Sequence, residues 1–130
     1  MVRKLVSLFR PIVERFPGLA NMYRILRNQM AFGAAPAQTQ WGFKLAGGSG
    51  GMAEGIFEPL ETKTARKILE DVDVLVNVGA NVGYYCCHAL SKGKSVIAFE
   101  PIQQNLQYLC RNVKLNGWSG VEIYPLALHN

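Results

Sequence analysis

The sequence predicts an α/β fold with parallel strands and crossover helices, on three observations. The run Val74-Leu75-Val76-Asn77-Val78 is almost continuously apolar and passes into Gly79-Ala80-Asn81-Val82-Gly83, the pattern of a strand, a tight turn and a helix start. A second apolar run, Val96-Ile97-Ala98-Phe99, ends on Glu100. Between and after these runs the apolar spacing becomes that of helices, so the order is strand, helix, strand, helix, strand, a right-handed crossover series.

The elements follow in chain order. Residues 1–33 hold Arg3, Lys4, Arg10, Arg15, Arg24 and Arg27 against Glu14 alone, which accounts for the whole net charge of +5. Val2, Leu5, Val6, Phe9, Ile12, Val13 and Phe16 fall on one helical stripe, and Pro11 should kink or split that helix. A basic amphipathic segment of this kind packs on the body of its protein or lies peripherally on an anionic membrane surface. Residues 34–60 are a loop and hairpin lead-in. Gly47-Gly48-Ser49-Gly50-Gly51 is read as a flexible tip between Trp41 to Leu45 and Gly55 to Phe57, expected to pair as a β-hairpin.

Residues 61–130 carry the crossover series. Glu61 to Glu70 is expected to be a helix that sets Ala65, Ile68 and Leu69 on the sheet. Val74 to Gly79 is the first core strand, apolar enough to be covered on both faces. Tyr84 to Lys92 makes a short helix stopped by Gly93, and Ser95 to Glu100 the second strand. Pro101 is placed as the first residue of the next helix, which carries Ile102, Leu106, Leu109 and Val113 on one face and ends at Asn116-Gly117. Val121 to Leu126 is the third strand.

The glycine turn indicates a nucleotide ligand. Gly79 lets the backbone turn sharply, Gly83 lets the helix start close by, and the N–H groups of that first helical turn attract an anion or lone pairs. Glu100 stands 21 positions after Gly79 at the carboxyl end of the next strand, where a carboxylate can accept from both hydroxyls of a ribose. A dinucleotide fingerprint needs small residues at its first, third and sixth positions, here Gly79, Asn81 and Tyr84. Tyr84 is too large for close pyrophosphate approach. Gly79, Asn81 and Gly83 suit a cradle for a ligand without phosphates, since Asn tolerates left-handed backbone angles. S-adenosylmethionine is thereby favoured over NAD.

Taken together, Asn77 to Tyr85, Phe99-Glu100-Pro101, Asn105-Leu106, Asn112 to Gly117 and Leu126-Ala127-Leu128 resemble the N-terminal half of an FkbM-type S-adenosylmethionine-dependent methyltransferase. Gly55 to Thr62 is similar to that family's lead-in. The resemblance covers roughly residues 41–130, and the family's usual Asp is replaced by Asn77. It implies a Rossmann-like class I methyltransferase fold and O-methylation of a sugar, polyketide or similar small metabolite. The candidate cofactor-binding residues are Asn77, Gly79, Ala80, Asn81, Gly83, Tyr84, Glu100 and Pro101. Glu58 is a further candidate for the cofactor's amino-acid end, its alternative being a solvated carboxylate at a helix start. No catalytic residue and no metal ligand is assigned.

The fold so implied has about seven strands, of which three are found here, so it is incomplete. Its first strand normally lies mid-sheet, which leaves an unpaired edge. The chain therefore reads as a fragment of a longer enzyme, inactive alone, or as a half-domain that pairs with a partner chain along that edge. A composition of 49% apolar and 18% charged residues fits a globular cytoplasmic protein, and no apolar run reaches membrane-spanning length. Nucleic acid is not expected, because the basic residues lack interleaved aromatics. Cys86, Cys87 and Cys110 lack zinc-site spacing and read as buried small hydrophobes, while His88 and His129 have no identifiable partner. Two other functions compete: an NAD-dependent oxidoreductase, and a non-catalytic membrane- or partner-binding module on a degenerate Rossmann-like fold.

Overall fold

A computed structural model describes residues 35–128. The amphipathic segment 1–33 and His129 lie outside the described residues. The chain runs β1 (Ala37–Gln38), β2 (Lys44–Leu45), α1 (Gly50–Glu54), α2 (Pro59–Ile68), β3 (Val74–Val78), α3 (Tyr84–Ser91), β4 (Ser95–Phe99), α4 (Gln103–Leu115) and β5 (Val121–Tyr124). β3, β4 and β5 form a parallel sheet in that order, with Leu75 opposite Val96 and Val96 opposite Val121. The α/β class and the βαβαβ order expected from the sequence are thus observed.

The sheet differs from expectation in its second face. Leu75, Val96, Ala98, Val121 and Ile123 point to one side and pack with Leu69, Ala89, Leu90 and Leu109 from the helical layer. The alternate positions Val74, Val76 and Val78 stay 47%, 57% and 58% exposed. The almost continuously apolar character of β3 suggests cover on both faces. All three long helices instead contribute to the same face, and among the described residues the other face is open. Among the described residues β3 also has a neighbour on one side only.

The hairpin is real but differently paired. Ala37–Gln38, not Gly55 to Phe57, pairs antiparallel with Lys44–Leu45, and the glycine run opens helix α1. The reason lies in α4, whose asparagines act as a hydrogen-bonding edge for β2. Asn112 Oδ1 accepts from Ala46 N (2.7 Å) and its Nδ2 donates to Ala46 O (3.1 Å). One turn on, Asn116 Oδ1 accepts from Lys44 N and its Nδ2 donates to Lys44 O, both at 2.8 Å. A side-chain amide offers a donor and an acceptor like a peptide group, and the fully buried Asn112 satisfies its remaining donor on Val82 O at 2.8 Å. A second core of Phe43, Leu45, Met52, Val82, Tyr84 and Tyr108 grows around this junction.

Helix limits shift for local reasons. α2 begins at Pro59, because proline suits the first helical position, and its cap is Glu58. α4 begins at Gln103 rather than Pro101, since the N–H of Ile102 is bound by the Glu100 carboxylate (2.9 Å). Ile68 and Ile102, expected in the core, are exposed, while Thr62, Tyr108 and Asn112 are buried. Cys86 and Cys87 are buried as expected but Cys110 is exposed, and all three are free thiols. Burial pushes the Cys86 thiol up to about 11, and raises that of Cys87 further still.

Candidate functional site

The turn between β3 and α3 and the end of β4 meet at the carboxyl edge of the sheet. Gly79 N and Ala80 N both donate to Phe99 O at 2.9 Å, so the turn is pinned to the neighbouring strand. Gly79 has φ +74, a conformation in which a side chain is strained, and no atom would lie within 4 Å of a Cβ placed there. The space in front of it is open. Asn81 follows at φ +53, the left-handed conformation that its residue type tolerates, and its Oδ1 accepts from Val82 N at 2.8 Å. Gly83 has φ +86 and serves packing, because a Cβ there would run into Leu109 Cδ1. Its bare backbone brings the start of α3 against α4.

Glu100 is the centre of this loop. It is only 4% exposed, with Oε2 accepting from Asn81 N (2.7 Å) and Oε1 accepting from Ile102 N (2.9 Å) and Asn105 Nδ2 (3.2 Å). A carboxylate offers about four acceptor positions, so three protein donors leave one for a ligand hydroxyl. Of the three donors, the Asn105 amide is the longest contact and the only one on a side chain able to swing aside. Both ribose hydroxyls are assigned to Glu100 on sequence grounds, and Asn105 receives no role there. A signal for it exists, because Asn105 is the third residue of the helix that follows.

The other candidates are distributed around this centre. Ala80 is buried within the turn and Pro101 is exposed beside Glu100. The Tyr84 side chain turns away from the mouth into the core, 3% exposed, with its hydroxyl 3.3 Å from Thr62 Oγ1 and its ring edge-on to Trp41, Phe57 and Tyr85. Asn77 sits on the helix-covered face of β3, where Nδ2 donates to Cys86 Sγ at 3.3 Å. It lines an apolar cavity of about 660 Å³ with Leu60, Ala65, Leu75 and Tyr85, beside the edge of β3 that is unpaired among the described residues. Glu58 accepts from the Tyr85 hydroxyl at 2.7 Å and has φ +42, a strained angle for a residue with a Cβ. Burial, reinforced by that hydrogen bond to Glu58, pushes the Tyr85 phenol up to about 12.

A partner for His88, invisible in the sequence, lies on α2. Arg66 Nη1 is 2.8 Å from His88 Nδ1, and since a guanidinium has no acceptor, Nδ1 accepts and Nε2 carries the proton. That Nε2 is buried without a hydrogen-bond partner among the described residues, and the ring lies among Trp41, Phe43 and Tyr84 at centroid distances of 4.5, 5.2 and 4.7 Å. Burial, then the Arg66 and Lys92 charges, lower its pKa to about 4. Among the described residues no cluster of His, Cys, Asp or Glu is arranged to hold a metal, and no helix is long and apolar enough to cross a membrane.

No protein-family model matches the sequence, and comparison with curated proteins gives no match. Among solved structures, the chain is similar to the M. jannaschii tRNA m1G37 methyltransferase at 22% identity and TM-score 0.46, covering 70% of this chain and 28% of that one. M. jannaschii TYW2 in complex with AdoMet aligns at 30% identity and TM-score 0.43, over 65% of this chain and 38% of that one. A protein from Pyrococcus horikoshii aligns at 16% identity and TM-score 0.53, over 93% of this chain and 50% of that one. The chain thus spans half or less of the length of each, and the third likeness establishes a shared Rossmann-like α/β fold.

Proposed function

We propose that this chain carries the S-adenosylmethionine-binding part of a methyltransferase. The observation that carries the reading is the buried Glu100 carboxylate closing on a left-handed Gly79–Asn81 turn at the ends of two adjacent parallel strands. Ligands in open α/β sheets bind outside the carboxyl ends of the strands, and a carboxylate there suits a ribose hydroxyl. The donor set fits: Glu100 keeps one acceptor position, Gly79 leaves open space for the ligand, Asn77 lines the same cavity as Tyr85, and Glu58 accepts from the Tyr85 hydroxyl.

The cofactor, when bound, supplies a methyl group already activated on a sulfonium. This chain then holds and orients it, which contributes through proximity. None of the described residues is assigned as general base. On the resemblance to FkbM-type enzymes, the acceptor is a hydroxyl of a sugar, polyketide or other small metabolite. The same reading includes a cytoplasmic protein, peripheral membrane contact through residues 1–33, and a further strand or partner chain along β3.

Calorimetric titration of the whole chain with S-adenosylhomocysteine and, separately, with NAD tests the proposal. Saturable binding of the first alone is expected. Glu100→Ala, confirmed as folded by circular dichroism, should weaken it by roughly 1.5–3 kcal/mol, the range for a hydrogen bond to a charged group. Binding of NAD alone would replace this reading with an oxidoreductase, and binding of neither would leave a degenerate fold.

A further inference from the structure

A second recess lies between the Trp41 turn and α2, on different residues from the Gly79–Glu100 loop. It encloses about 430 Å³ and is lined by Gln40, Trp41, Gly55, Lys63, Arg66 and Lys67, with Glu70 at its rim. Lys63 and Lys67 are one helical turn apart on α2, with Arg66 beside them, a like-charge arrangement that is unfavourable without a counter-ion. Among the described residues none of the three has a carboxylate within 4 Å, and the rim carboxylate of Glu70 pairs with Lys92 at 3.3 Å.

The cation in the middle is held in place. Arg66 donates to His88 Nδ1 at 2.8 Å, and its guanidinium carbon stands 5.9 Å from the centre of the Trp41 ring. Trp41 is itself fixed by Phe43, Tyr84 and His88. Neither His88, which is neutral at physiological pH, nor Trp41 cancels the guanidinium charge. A partly buried, oriented Arg whose neighbours leave it positively charged, flanked by two ammonium groups that have no carboxylate partner among the described residues, is arranged as a receptor for a multiply charged oxyanion. The amide of Gln40 packs against Gly55 and adds a neutral polar group to the same wall.

We propose that this recess binds a phosphate group, with Arg66 as the oriented contact, Lys63 and Lys67 as the mobile ones, and the Trp41 indole as its wall. The site does not rest on the methyl-transfer reading. Its ligand is defined by chemistry as a phosphate ester or anhydride, carried by a small molecule or by a single-stranded polynucleotide.

The test uses the full chain labelled with ¹⁵N, following the Trp41 indole N–H, which is assigned by its loss in Trp41→Phe. Residues 1–33 are basic and attract polyanions by themselves, so a site-resolved signal is needed in place of overall affinity. Pyrophosphate and a short single-stranded RNA are titrated separately at fixed ionic strength. A saturable shift of the Trp41 signal with pyrophosphate indicates that the phosphate group suffices, and one with RNA alone indicates a phosphodiester chain. In either case Lys63→Gln/Lys67→Gln, both surface changes, should weaken the response roughly tenfold or more. No Trp41 shift with either ligand, or an undiminished one in the double variant, would overturn the site.

Discussion

The backbone N–H of Asn81 donates to Glu100 Oε2 at 2.7 Å, across the gap between the ends of β3 and β4. This contact ties a left-handed residue to a buried charge. The charge is stabilised by three donors, and the turn keeps its shape because one of its N–H groups has a partner only in that geometry. Glu100→Gln replaces one carboxylate oxygen by an NH₂ group, which must face Asn81 N–H or else the Ile102 and Asn105 donors. A loss of roughly 1–3 kcal/mol in urea unfolding at unchanged m is expected, as for a buried donor left without an acceptor. Wild-type stability in this variant would mean that the carboxylate is not engaged by the turn.

Asn105 separates holding the carboxylate from blocking it. If its amide yields to a ribose hydroxyl, Asn105→Ala removes a contact made only in the free protein. The variant should lose roughly 0.5–1.5 kcal/mol of stability. Its affinity for S-adenosylhomocysteine should equal or exceed that of the wild type. A marked fall in affinity would instead make Asn105 part of the ligand contact.

Gly79 and Gly83 share a positive φ but not a reason for it. At Gly79 an added Cβ meets open space, so Gly79→Ala should cost about 1–2 kcal/mol, the strain of a left-handed alanine. At Gly83 the same strain is joined by overlap with Leu109, a fully buried residue of α4 that has nowhere to move. Overpacking adds roughly 1–3 kcal/mol, so Gly83→Ala should be the more damaging of the two. Denaturation midpoints measured side by side give the order, and a reversed order would contradict the assigned roles.

His88 makes stability depend on pH in a defined window. Its folded pKa is lowered to about 4 from an ordinary 6.5, so the unfolded chain takes up a proton at a higher pH than the folded one. Its contribution is complete above pH 6.5 and is lost as pH falls toward 4, for a total of about 3 kcal/mol. Unfolding free energies across this window should fall steeply in the wild type and less steeply in His88→Gln. Equal slopes would show that the imidazole takes up its proton at the same pH in the folded and the unfolded chain.

The order of strands and helices is legible in the sequence because each element depends on near neighbours: the apolar run of β3, the glycines of the turn, and the Asn116-Gly117 stop. Asn81 at positive φ is legible for the same reason. What escapes depends on distant partners. Nothing near His88 announces Arg66, 22 residues earlier, and nothing near Lys44 announces the amide of Asn116, 72 residues later. The second of them fills Lys44 N and O with a side-chain amide of α4 in place of a neighbouring strand. Ile68 and Ile102 are misplaced by periodicity because helical spacing identifies a stripe but not the rotation at which the helix docks.

The open face of the sheet gives the last prediction. Val74, Val76 and Val78 alternate along a strand whose outer edge has no neighbour among the described residues, so an apolar surface and a row of unpaired peptide groups coincide. Edge strands of that character join to other chains, and a single inward or outward lysine is enough to deter them. Light scattering of the chain should therefore show association that rises with concentration, and Val76→Lys should suppress it. Because Val76 is exposed, the same change should alter unfolding free energy by no more than about 0.5 kcal/mol. If Val76→Lys instead unfolds the protein, the face is covered in solution and the chain carries its own partner for it. If association persists in a folded variant, the contact lies elsewhere, and the basic segment 1–33 becomes the surface to remove.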